Sequence, residues 1–329
     1  MKTMTKLMGV GIAAFFLTSG SMAQITIDTV TVGNPGNTAD STGFGAVGYS
    51  YAIGKYEVTN TQYAAFLNAV AATDSYALYN TSMGSEAYGG ITRSGSSGSY
   101  AYAVKSGYEN KPVTYVSFWD ATRFANWLNN GQGSASTETG SYTLGGVTNP
   151  VNNTVTRNGG ANWVVSSENE WYKAAYYDPT LNSGTGGYWE YPVRSNTLGD
   201  NTAFTATNSA NYNDGDYAVF NGAGTDGALP VGSYPNASSY YGTFDQGGNV
   251  WEWNEQIYAN DYRGKRAGSW VDGYGLDRSY SDPSRVATYE DGSYGFRVAS
   301  LAPIPEPGTC AAALGAVSLA IVLLRRRKA

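Results

Sequence analysis

The segment Asp245-Gln-Gly-Gly-Asn-Val-Trp-Glu-Trp253 constrains the fold of this chain more than any other. Two consecutive glycines allow a tight backbone approach, and a carboxylate set between two tryptophans is costly to bury without a partner. A rigid, cation-binding turn meets both demands better than a generic loop. Two related runs follow in order, Arg266-Ala-Gly-Ser-Trp270 and Gly295-Phe-Arg297. The chain carries 42 glycines and 28 tyrosines but little Leu or Ile, which predicts a loop-rich fold whose core is built on aromatic rings.

Both ends read as addresses rather than as folded structure. Lys2 and Lys6 precede an apolar stretch from Leu7 to Leu17, and Ser21-Met22-Ala23 has the small-x-small form of a signal-peptidase site. Residues 1–23 therefore read as a secretory leader; a buried N-terminal helix is the alternative. At the other end, Pro305-Glu306-Pro307 closes a Pro-rich linker over residues 302–307. An apolar stretch from Gly308 to Leu324 and the basic end Arg325-Arg326-Arg327-Lys328 follow. Its seventeen residues lie at the short limit for a membrane helix, and the basic cluster would stay inside. The triplet, apolar segment and terminal arginines together resemble the PEP-CTERM sorting signal of Gram-negative bacteria. That resemblance implies processing by an exosortase and delivery to the cell surface or extracellular matrix. A plain anchor over residues 308–329 is the alternative, and it too places the folded part outside the cytoplasm.

Residues 24–307 hold all 26 acidic residues against 14 basic ones, a net charge of −12. Such a balance disfavours nucleic acid and anionic lipid as partners and suits hard cations. The absences are equally informative. There is no histidine, and the only cysteine, Cys310, sits in the tail. Nucleophilic sites built on Ser-His-Asp or Cys-His are excluded, as are zinc, copper and non-haem iron sites that need His or Cys. No disulfide can staple the exported part. Metals with oxygen ligands remain.

Along the chain, residues 25–32 and 49–58 alternate as strands do, and Thr59 or Asn60 caps a helix that buries Tyr63, Phe66, Leu67 and Val70. Residues 73–108 form a Gly-, Ser- and Tyr-rich surface excursion of low regularity. Residues 112–117 read as a strand ending in an N-cap, followed by a helix from Phe118 to Asn130 that stops at Gly131. Residues 131–160 are another polar insertion, with a hairpin as one possible form. Ser167 and Glu170 make a capping box that opens a helix through Tyr177, ended by Asp178-Pro179. Loops fill most of residues 180–244. No internal repeat or linker divides residues 24–301, which predicts a single domain.

Six segments in order resemble the sulfatase-modifying-factor family, whose best-known member is the formylglycine-generating enzyme. They are Gly54-Lys-Tyr-Glu-Val-Thr-Asn60, Pro112-Val-Thr-Tyr-Val-Ser-Phe-Trp-Asp-Ala121, Val165-Ser-Ser-Glu-Asn-Glu-Trp171, Gly248-Asn-Val-Trp-Glu-Trp253, Arg266-Ala-Gly-Ser-Trp270 and Gly295-Phe-Arg-Val-Ala299. Each alone is weak; six in sequence over residues 50–299 are specific. The resemblance implies an α+β, loop-rich, formylglycine-generating-enzyme-like fold, distantly similar to C-type lectin domains. The family's enzyme acts through a cysteine pair between its Gly-Gly-Ser-Trp and Gly-Phe-Arg motifs. Here that stretch, Val271 to Tyr294, has no cysteine; Ser279 lies near the expected place. A serine oxygen cannot replace a thiolate as a copper(I) ligand or redox group, so the activity is not expected to carry over.

The family's two calcium sites carry over better. One would fall on Asp245, the carbonyls of Gly248 and Val250, and Glu252. The other would fall on Asn211, the Tyr212 carbonyl, Asp226 and the Ala228 carbonyl. Two alternatives are ordinary structure: Glu252 buried and paired with Arg297, and Asp226 in an Asp-Gly turn. Trp251, Trp253 and Trp270 could line a ligand groove or simply fill the core. The tyrosine-rich loops at 100–115 and 234–241 could stack on sugar rings. The reading is thus of an exported, calcium-stabilised, non-catalytic module with a binding or structural role. Its implied partners are signal peptidase, an exosortase-type enzyme and extracellular polysaccharide, with membrane contact only through the C-terminal segment. The rivals are an oxidase using non-cysteine chemistry, a carbohydrate-binding module, and a hydrolase built on Glu168 and Glu170. Those two acids lie two residues apart on a helix and cannot converge on one atom.

Overall fold

A computed structural model describes residues 24–213, 219–220, 223–224, 227–273 and 284–302. Elements follow in chain order as β1 (Thr29–Val32), β2 (Tyr51–Gly54), α1 (Asn60–Val70), the single turn α2 (Ser82–Ser85), β3 (Ile91–Ser94), β4 (Ala101–Val104) and α3 (Phe118–Asn129). Next come β5 (Trp163–Val165), α4 (Glu168–Tyr176), and four two-residue strands, β6 (Tyr177–Asp178), β7 (Gly187–Tyr188), β8 (Val219–Phe220) and β9 (Ala223–Gly224). The chain closes with β10 (Trp251–Ala259), β11 (Tyr262–Arg266), β12 (Ser284–Val286), β13 (Tyr294–Phe296) and β14 (Val298–Ser300). Few helices and small sheets joined by long loops make this an α+β, loop-rich fold.

Two four-stranded sheets carry the framework, ordered β1-β2-β14-β5 and β12-β11-β10-β13. The first is antiparallel throughout; in the second, β10 runs parallel to β13 with Glu252 opposite Gly295. That register brings the Trp-Glu-Trp run beside the Gly-Phe-Arg run. Between the sheets and the helices α1 and α3 sits an aromatic core. Phe124 of α3 lies 5.4 Å from Phe66, 5.6 Å from Trp127 and 5.4 Å from Phe296, ring centre to ring centre. Such edge-on and tilted pairs supply the burial that Leu and Ile would otherwise provide.

Local signals placed the long helices. Thr59 and Gln62 make the capping box of α1, Ser117 and Asp120 that of α3, and Ser167 and Glu170 that of α4. Each box satisfies backbone N–H groups that the first helical turn leaves without partners. Helix α1 buries Tyr63, Phe66 and Leu67, with Val70 half-buried.

Three segments depart from expectation. Residues 112–117 are not a strand: Pro112 makes one bridge to Thr59, and Tyr115 sits at φ +59°, which no ladder accommodates. Their N–H groups go instead to Val58 O (2.8 Å, from Val113) and Asp291 O (2.9 Å, from Tyr115). Residues 73–108 are more regular than their composition suggests, because β3 and β4 pair as a hairpin. Residues 131–160 form no hairpin but a loop wrapped on α3. Asn126 donates to Thr137 O and Tyr142 O, and Arg123 to Val147 O and Thr148 O.

Buried and half-buried arginines hold the loops that disulfides cannot. Arg123 pairs with Glu138 at 2.7 Å. Arg157 bridges Glu170 (2.9 Å) and Glu255 (2.7 Å). Arg263 donates to Asn152, Val155 and Glu255, and Arg266 pairs with Glu168 at 2.6 Å. A guanidinium carries five donors in a rigid fork, so one side chain can tie several carbonyls of irregular backbone at once. Among the described residues no helix is long and apolar enough to cross a membrane. The leader and the segment 308–329 lie outside the described residues.

Candidate metal centre

The centre is assembled by the turn that precedes β10. Asp245, Gly248 and Asn249 all adopt positive φ (60°, 81° and 61°), which curls the chain. At Gly248 a Cβ would collide with the carbonyl oxygen of Asn211, so only glycine fits. That close approach is held by the Gly248 N–H to Ala267 O and the Asn249 N–H to Asn211 O, both 2.7 Å.

The Asn249 side chain is the hub. Its amide donates to Glu57 Oε1 (2.9 Å), and its oxygen accepts from Asn211 (3.1 Å) and from the Leu229 N–H (2.9 Å). Asn211 also donates to Gly227 O at 3.2 Å. The Tyr212 carbonyl accepts from Asn201 at 2.7 Å, and Ala228 packs against Val250 and Trp270. Of the four residues implied for one calcium site, Asn211 bonds directly to Asn249, Tyr212 follows it in the chain, and Ala228 precedes Leu229, whose N–H Asn249 accepts. Asp226 lies outside the described residues, as does Ser279.

Glu252 is fully buried and its oxygens are engaged. Arg297 grips it through Nε (2.6 Å) and Nη2 (2.5 Å), and Trp171 Nε1 donates to Oε2 at 2.7 Å. The remaining Arg297 donors reach Gly54 O (3.0 Å), Lys55 O (3.4 Å) and Phe244 O (2.9 Å). Arg297 is therefore a structural pin of the same kind as the others, joining the end of β2, the turn and β10.

One further carboxylate enters that sequence reasoning did not single out. Glu57 is 2 % exposed, and its Oε2 has no hydrogen-bond partner; its nearest cation is Arg297, 4.0 Å away. Asp245 lies beside it, with Oδ2 accepting the Gly232 N–H at 2.6 Å. Burial and then the neighbouring Asp245 push the Glu57 carboxyl well above the usual range, Arg297 opposing. Burial pushes Asp245 up to about 6, against the pull of the Gly232 N–H and Arg297. Three carboxylates around one guanidinium leave two negative charges uncompensated if all are ionised. Such a cluster must take up protons or a cation, because isolated buried charge is prohibitively costly. An unpartnered buried oxygen and this excess charge fit a hard divalent ion. The side chains alone are not a finished cage: among the described residues no three acidic side chains converge as metal ligands. Backbone carbonyls of the turn, such as those of Gly248 and Val250, would have to complete the set.

Glu168 and Glu170 are both buried and face different partners. Glu168 binds Arg266 and Asn254, whereas Glu170 binds Arg157, Tyr49 and the Ser167 N–H. They form no shared catalytic pair.

The fold, the turn and its arginine pin define a class, and residues 31–302 match the sulfatase-modifying factor enzyme 1-like domain. The chain belongs to that family. Among solved structures it is similar to CarF at 24% identity, covering 85% of this chain and 99% of that one with a TM-score of 0.54. It is similar also to variable protein 1 of Treponema denticola at 15% identity, covering 85% and 97% with a TM-score of 0.50. At these identities the likeness is one of fold. No curated protein sequence matches the chain.

Proposed function

We propose that the chain is an exported, non-catalytic member of its family, a calcium-stabilised module with a binding or structural role at the cell surface or in the extracellular matrix. The observation that carries the proposal is the unpartnered Glu57 oxygen in a cluster of three carboxylates and one arginine. Calcium would be held by Asp245 and Glu57, with the Gly248 and Val250 carbonyls. Glu252 would stay paired with Arg297 and Trp171 rather than act as the main ligand. When bound, the ion supplies neutralisation and fixes the turn. A second ion at Asn211, Tyr212, Asp226 and Ala228 is part of the same proposal.

The absence of enzymatic chemistry is inferred from sequence: with Cys310 the only cysteine and no histidine, no thiolate pair is available between Trp270 and Gly295. The leader and tail support export by signal peptidase, a transient anchor in the inner membrane, and release by an exosortase-type enzyme. The purified chain is expected to leave a cysteine-containing sulfatase peptide unchanged, with or without copper. Mass spectrometry of the peptide decides this: a formylglycine product absent from a boiled control would overturn the non-catalytic reading.

A further inference from the structure

A recess of about 350 Å³ opens beside the turn, lined by Tyr88, Tyr115, Trp270, Asp291 and Ser293. The rings of Tyr88 and Trp270 touch at 4.7 Å between centres, tilted by 47°, so the buried Trp270 (6 % exposed) backs Tyr88 and leaves the Tyr88 ring as the open face. Tyr88 is 36 % exposed although it is large and aromatic. Tyr115 takes the left-handed conformation, which is costly for a bulky residue. The surroundings enforce it: the Tyr115 N–H donates to Asp291 O at 2.9 Å, and Gly292 lets the ring close in. A Cβ at Gly292 would stand 2.8 Å from the Tyr115 hydroxyl.

The polar groups of the recess are equally fixed. Asp291 Oδ1 accepts both the N–H (3.0 Å) and the hydroxyl (2.7 Å) of Ser293. No hydrogen bond to its Oδ2 is present among the described residues. Burial, with Glu86 and Asp291 adding, pushes the Tyr115 hydroxyl up to about 12, so it stays a neutral donor. The backbone N–H of Trp270 donates to the backbone carbonyl of Asn249 at 3.0 Å, which ties the recess wall to the hub of the metal centre.

We propose that this recess binds the neutral end of a glycan, with a pyranose ring on the exposed Tyr88 face, which Trp270 supports from behind, and its hydroxyls on Asp291 and Tyr115. A sugar ring offers an apolar face to stack and several hydroxyl donors for one carboxylate, and the volume suits a small polar ligand. An organic cation is less well served, because rings in contact with each other cannot clasp it from opposite sides. Anionic polysaccharide is disfavoured by the carboxylate and by the −12 charge of residues 24–307. The inference rests on the calcium-ordered binding module above, since Asn249 links the two sites.

The test is affinity electrophoresis of the purified full chain, with calcium, through gels holding hydroxyethylcellulose, laminarin, galactomannan or dextran. Heparin and choline serve as competitors of other classes, and a thermal melt with calcium and chelator runs in parallel. Retardation by at least one neutral polysaccharide is expected. Tyr88→Ala and Asp291→Asn should each weaken it at least about tenfold, the loss of a stacking face or of a charge-assisted hydrogen bond. Asp291→Asn keeps the acceptor for Ser293, so its melting temperature should stay that of the parent. No retardation in any gel, with the calcium-dependent melt intact, would overturn the glycan site and leave the calcium module standing. Retardation untouched by both substitutions, or tighter capture by heparin or choline, would also overturn it.

Discussion

Replacing Arg297 by Met probes the pin at the centre of the fold. The substitution keeps the volume but removes every donor to Glu252, Gly54, Lys55 and Phe244. Glu252 is left buried with only Trp171. Stripping a buried carboxylate of its cation costs about 3–5 kcal/mol. For a domain of this size that corresponds to a fall of roughly 6–20 °C in Tm. Urea unfolding of the purified chain in chelator at pH 7 measures it. Adding Glu252→Gln to Arg297→Met should recover a large part of the loss. If Arg297→Met does not fold, Arg297→Lys with the same second substitution takes its place. A loss under about 1 kcal/mol, or a double variant as unstable as the sum of the singles, would refute the reasoning.

Gly248→Ala should yield little folded protein, because its Cβ meets the Asn211 carbonyl in a left-handed turn; circular dichroism and soluble yield report this. Glu170 gives a pH signature. Against the cost of burial, Arg157 and the Ser167 N–H hold its carboxyl below the usual range. A depressed acid contributes stability that is present above its unfolded pKa and lost as pH falls through the folded one. The stability gap between parent and Glu170→Gln should therefore be largest near neutral pH and close in acid, as urea midpoints across pH 3–7 would show. In the native host the chain should be exported and lose its end near Pro305-Glu306-Pro307, read by intact mass after fractionation. Full-length chain free in the cytoplasm would contradict that.

What the sequence disclosed was mostly local. The capping boxes at Thr59, Ser117 and Ser167 are read from residues three apart, and the structure forms all three. The pairing of Glu252 with Arg297 was open as an alternative, and the parallel register of β10 and β13 realises it. Glu57 carries no such signal: it stands as a lone acid between Tyr56 and Val58, and its partner Asn249 is 192 residues away with nothing local to join them. The same holds for Tyr88, Tyr115 and Asp291, which come from three separated loops. Residues 112–117 read as a strand in the sequence, whereas the chain turns left-handed at Tyr115. Arginine pins escape periodicity altogether, since each ties irregular backbone that has no period.

The account turns on whether the carboxylate excess at Glu57, Asp245 and Glu252 is met by calcium. Thermal melts of the purified chain with calcium and with chelator test this most directly. At a calcium concentration about 100 times Kd, binding to the native state alone adds roughly 2.7 kcal/mol. The account predicts a clear rise in Tm with calcium that is lost or strongly reduced in Glu57→Gln and Asp245→Asn. Superimposable melts with and without calcium, in the parent and in both variants, would contradict it.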